Sequence, residues 1–82
     1  MEPTARAYRW LACLDENIFR HDPKETWDDA GKRIAKLGGI RRQIDHAITD
    51  YIHDPSLVNE MEMEYLCDLA ARTEGVIIRP SL

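Results

Sequence analysis

His46, Asp50 and His53 stand four and three residues apart, a spacing that on a helix brings two imidazoles and a carboxylate to one face. That donor set suits zinc or another borderline metal. The face lies opposite Ile44 and Ile48, so it is turned to water with little around it to orient ligands. Solvated side chains are the expectation there, and no metal site. Cys13 and Cys67 are the two cysteines; they form no CxxC pair, and nothing in the sequence brings a base to Cys13 or lowers its pKa. Both are read as thiols. Asp15 falls inside an apolar arc between Tyr8 and Leu11, where it is expected to pair with an arginine, cap a neighbouring helix or mark a functional rim, with structural pairing foremost. There is no glycine-rich phosphate loop, no nucleophile elbow and no carboxylate pair distinct from surface charge. The chain therefore reads as a non-enzyme without catalytic residues or cofactors.

Two charged segments carry the stronger signals. Lys32, Arg33, Lys36, Arg41 and Arg42, followed by Gln43, form a basic run uninterrupted by any acid. Within it, Ile34-Ala35-Lys36-Leu37-Gly38-Gly39-Ile40-Arg41-Arg42-Gln43-Ile44 resembles the core of a helix-turn-helix: an Ile-Ala pair, a leucine, a turn glycine, then a polar-rich helix with buried aliphatics. The resemblance covers about fifteen residues, and aligning the Ile-Ala pair places Leu37 and Gly38 one residue early. It implies a DNA-binding regulator whose arginines reach phosphates or guanine edges. The plainer reading is two amphipathic helices joined at a Gly-Gly corner.

The second segment runs from Asp54 to Asp68 and holds Glu60, Glu62 and Glu64 with no basic residue. On a helical wheel, Val58, Met61, Tyr65 and Leu69 make one apolar stripe, while Met63, Leu66, Cys67 and Ala70 make another nearly opposite. A surface helix of a monomer needs one stripe, so the second calls for central burial or a partner. With methionines suited to adaptable contacts, Glu60, Glu62, Met63, Glu64 and Leu66 are the candidate partner-binding residues.

Four helices are expected to position these residues. Thr4 caps the first, which runs to about Arg20 and has the widest apolar arc (Ala7, Leu11, Leu14 and Ile18, with Tyr8, Trp10 and Phe19 at its edges), predicting the deepest burial. Asp22-Pro23 with Glu25 reads as a capped start for the second, whose Trp27, Ala30, Ile34 and Leu37 keep helical spacing. Gly38-Gly39 is read as its C-cap. The third buries Ile40, Ile44, Ile48, Tyr51 and Ile52, and Asp54-Pro55 opens the fourth, which runs to about Thr73. Val76-Ile77-Ile78 is expected to be a short strand or a tail folded back on the core.

At 82 residues the chain has room for one domain with a modest core, read as residues 1–82 in a compact all-α bundle of about four short helices with a short extended C-terminal tail. Self-association is a common way for so small a domain to gain buried area, so a homo-oligomer belongs to the expectation. The N-terminus lacks the apolar run of a signal peptide and no stretch is apolar enough to span a bilayer; the expectation is a cytoplasmic, membrane-independent protein. A net charge of −4 counts against non-specific nucleic-acid binding by the whole surface. The leading functional expectation is thus a small adaptor or inhibitor-like regulator that binds a protein, one with a basic surface, through the acidic helix. The competing one is DNA binding through residues 32–43.

Overall fold

The computed structural model describes residues 2–73, which form three helices: α1 (Pro3–Ile18), α2 (Trp27–His53) and α3 (Leu57–Thr73). The all-α expectation holds, with three helices in place of about four. The difference lies at Gly38 and Gly39, which sit inside an unbroken α2 and do not form a corner. Arg33, Leu37, Ile40, Ile44, Ala47 and Ile48 are buried along one face, and their three-and-four spacing passes through the glycines in phase. Leaving the helix there would put the two halves of that face out of register. Keeping it costs roughly 2 kcal/mol for the two glycines in helix propensity, less than burying the aliphatic side chains of that face contributes together.

The helix starts also move. Asp22 does not cap α2; its carboxylate accepts from the Lys24 N–H at 3.0 Å and its carbonyl from the Glu25 N–H at 3.1 Å, making a turn in the connection. Thr26 is the cap, accepting from the Asp29 N–H at 3.1 Å, with Asp28 and Asp29 in the first turn where the helix dipole favours negative charge. At the other end, Asp54 closes α2, its N–H donating to the Asp50 carbonyl at 2.9 Å. The Ser56 hydroxyl then accepts from the Asn59 N–H at 3.2 Å to open α3. Asn59 fastens the joint by donating from its side chain to the Asp54 carbonyl at 2.8 Å and the Asp50 carbonyl at 3.3 Å. Thr4 lies within the first turn of α1, after Pro3, and its hydroxyl donates to the Glu2 carboxylate at 2.9 Å.

α1 packs on both other helices. It is not the most buried of the three. It gives the core only Ala7 and Leu14 as fully buried apolar side chains, against Leu37, Ile40, Ile44, Ala47 and Ile48 from α2 and Met63, Leu66, Cys67 and Ala70 from α3. Trp10, Leu11, Cys13, Ile18, Tyr51 and Leu69 pack around that centre, half-buried. Tyr8, Phe19, Trp27, Ile34 and Ile52, all placed on apolar faces by their spacing, are exposed. The Val76-Ile77-Ile78 segment lies outside the described residues.

Candidate partner-binding surface

On α3 the two stripes take opposite fates. Met63 is 1% exposed and Leu66 7%, each part of the core with Cys67 and Ala70, so neither offers a free contact face. Val58, Met61 and Tyr65 of the other stripe are instead exposed, as is Leu57 beside them, at 58–74%, while its fourth member, Leu69, packs half-buried against the core. The reason can be found on the wheel: the arc holding Met63, Leu66, Cys67 and Ala70 contains no charge. On the outer arc Asp68 falls between Leu57 and Met61, Arg72 between Met61 and Tyr65, and Glu62 at the edge beyond Val58. Burying the outer arc would desolvate three charged groups. Arg72 lies over the Tyr65 ring, 5.9 Å from its centroid. Of the three glutamates, Glu62 and Glu64 are exposed and Glu60 half-buried, and none makes an ion pair among the described residues. Asp68 does, with Arg6 of α1 at 2.8 Å, a hydrogen bond that raises the arginine's pKa.

Beside this face, the seam between α2 and α3 opens into a groove of about 350 Å³ with Ala47 and Leu66 on its floor and His46, Asp50, Glu62 and Tyr65 among its walls. Leu66 thus touches the candidate surface only from beneath. Seven acids and no lysine or arginine occur from Gln43 to Ala71, so both sides of the seam are acidic.

The basic segment is put to different use. Arg33 is 6% exposed. Its Nε and Nη2 grip the Glu25 carboxylate at 3.0 and 2.9 Å, and the rest of its fork donates to the carbonyls of Asn17, Ile18 and Arg20 at the end of α1. It is a C-cap for a neighbouring helix and has no reach to a nucleic acid. The hydrogen bond from Arg33 lowers the Glu25 carboxyl below its ordinary value, and the arginine's own pKa rises in return. Arg41 donates from Nε to Asp15 at 2.5 Å, which accounts for an aspartate within an apolar arc and raises the arginine's pKa. Lys32, Lys36, Arg42 and Gln43 remain exposed. They lie along a continuous helix, so the turn that a helix-turn-helix needs is missing from this segment.

The metal constellation is not assembled. His46 approaches Asp50 at 3.7 Å between their nearest atoms, but the Nδ1 of His53 is engaged 2.9 Å from the Thr49 carbonyl. Cys13 and Cys67 are not joined in a disulfide; burial pushes the Cys67 pKa up, against a smaller opposing pull from Arg6.

One further surface escaped the spacing argument. Among the described residues, Trp27 at 90% and Phe19 at 82% are the most exposed large hydrophobic side chains, and both lie at the α1–α2 end, with Ile34 nearby at 44%. Trp27 is the first residue of α2 and faces away from the stripe that α2 buries. Phasing that stripe from Leu37 through Ile48, without a break at the glycines, would have placed Trp27 and Ile34 off it.

No family model matches the chain, and no curated protein or solved structure matches it either.

Proposed function

We propose that this protein is a small non-enzymatic interaction module, an adaptor or inhibitor-like regulator, that binds a basic partner protein through the outer face of α3. One observation carries the reading: an exposed apolar stripe of Leu57, Val58, Met61 and Tyr65 flanked by Glu60, Glu62 and Glu64, none of them ion-paired among the described residues. An apolar stripe of that length on a small domain marks an interaction site more often than an accident of composition. The unpaired acids steer a basic partner to it and accelerate encounter, while the tyrosine and methionine supply desolvated contact area that slows release. A partner that binds nucleic acid through a basic site would be blocked by this surface, which is the inhibitor form of the same reading. DNA binding through Lys32, Lys36 and Arg42 is the competing proposal, without a turn to present a recognition helix.

The test is capture from native lysate on the immobilised full chain, followed by calorimetry on the recovered protein. Met61→Ala with Tyr65→Ala should weaken binding at least tenfold while leaving the melting temperature nearly unchanged. Equal binding by this double variant would remove α3's outer face from the interface. A low-salt mobility shift on duplex DNA, lost on Lys36→Glu with Arg42→Glu, would transfer the function to α2.

A further inference from the structure

The α1–α2 end has the makings of a self-complementary contact, and we propose that two copies of this chain associate there, each seating Trp27 in a groove of the other. The exposed ring of Trp27 is itself part of the wall of an open groove of about 180 Å³, together with the apolar side chains of Ile18, Ala30 and Ile34 and a polar side that includes Asp22 and Glu25, and exposed Phe19 follows Ile18 at the end of α1. That volume admits one side chain and is smaller than the roughly 300–1,000 Å³ of a small-molecule site. A projecting ring and a receptive groove on the same patch are what a two-fold contact requires, because the same residues must serve as both halves.

Charge selects the occupant. Exposed charges of both signs, Lys24 and Lys32 with Asp28 and Asp29, lie within five residues of Trp27, so a two-fold axis can set acid against base. The outer face of α3, where Glu62, Glu64 and Asp68 outnumber Arg72, would tend to repel its own copy. Area agrees. A tryptophan and a phenylalanine bury about 150–250 Å² each, roughly half of the ~800 Å² per partner in a stable interface, and the groove walls supply more. The patch is also held ready. Thr26 caps α2 directly before Trp27, and Arg33 with Glu25 ties the start of α2 to the end of α1, so little ordering remains to be done on association. Trp27 and the start of α3 lie at opposite ends of α2, roughly 40 Å apart. Self-association therefore leaves both acidic faces open, and it stands whether or not the reading of α3 does.

Sedimentation of the full chain from about 1 µM to about 1 mM, the span in which weak dimers form, tests the proposal. The wild type should pass from its 9.5 kDa monomer to twice that mass. Trp27→Ala should raise the dissociation constant about 30-fold or more, the mark of an interface hot spot, and Phe19→Ala should raise it less. Both positions are exposed, so circular dichroism should be unchanged. In a Trp10→Phe background the emission of Trp27 should shift to the blue as dimer forms. A chain that stays monomeric throughout, a dimer indifferent to Trp27→Ala, or Trp27 emission that remains water-like in the dimer would each overturn the proposal. So would a dimer abolished by Tyr65→Ala, which would put the contact on α3.

Discussion

The basic segment on α2 and the acidic segment on α3 look alike as sequence, each a run of one sign along an amphipathic helix, yet the fold uses them in opposite ways. Two of the five basic side chains are committed internally: Arg33 to Glu25 and three carbonyls of α1's end, Arg41 to Asp15. The acidic run commits Asp68 to Arg6 and leaves Glu60, Glu62 and Glu64 without ion pairs among the described residues. A charge with an internal partner holds the structure together, and its field is largely cancelled. An unpaired one is available to another molecule. The contrast is what turns attention to α3.

The sharpest way to break the comparison is at Arg33. If it is a structural clamp, Arg33→Ala should cost about 3–5 kcal/mol in chemical denaturation, the usual result of removing one partner from a buried charge network. Arg33→Lys should recover little, because a single ammonium cannot grip the carboxylate side-on and reach the carbonyls together. A loss below about 1 kcal/mol would return Arg33 to the pool of surface charge.

The clamp also sets a pH dependence. Glu25 has its folded pKa depressed by the hydrogen bond from Arg33. Its contribution is fully present above the ordinary glutamate range and is lost as pH falls through the depressed value. Denaturation of wild type and Glu25→Gln across acid pH should show two curves separated at neutrality that converge at the acid end. Parallel curves would mean that the carboxylate's charge contributes nothing.

Next in size are the stripes of α3. Leu66→Ala and Met63→Ala should each lose about 2 kcal/mol or more, as for core truncations, and Met61→Ala and Tyr65→Ala no more than about 0.5 kcal/mol. Similar losses at all four positions would make the outer stripe core, leaving α3 no surface to offer.

The smallest effect has a telling sign. Gly38 and Gly39 lie mid-helix with nothing within 4 Å of an added Cβ. Gly38→Ala and Gly39→Ala should therefore each stabilise by about 0.5–1 kcal/mol, read as a higher melting temperature. A glycine corner at this place would make the same changes destabilising.

The helical class and the pairing of Asp15 with an arginine were legible in residue spacing alone. Gly38-Gly39 reads as a corner because glycine reports what the backbone is free to do, while the phase of Leu37, Ile40 and Ile44 reports what burial requires. Asp22 and Asp54 carry the right chemistry for caps, but Thr26 and Ser56 stand nearer the positions where the packed faces begin. The two stripes of α3 could be counted from sequence. Choosing between them needed the interleaved charges to be weighed, since a stripe broken by Asp68 and Arg72 and edged by Glu62 resists burial however apolar its other members. Arg33 left no sign in the sequence, because its partners, the Glu25 carboxylate and backbone carbonyls at the end of α1, lie eight or more residues away, beyond helical spacing.

The central claim, that the unpaired acids of α3 receive a basic partner, is tested most directly by association kinetics with the captured partner at two salt concentrations, using Glu60→Gln, Glu62→Gln and Glu64→Gln together. The triple variant should fold with unchanged or slightly higher melting temperature, associate more slowly, and show a flatter dependence on salt than the wild type. Wild-type association with undiminished salt dependence in the triple variant, accompanied by its loss on Lys36→Glu with Arg42→Glu, would contradict the account and place the working surface on α2.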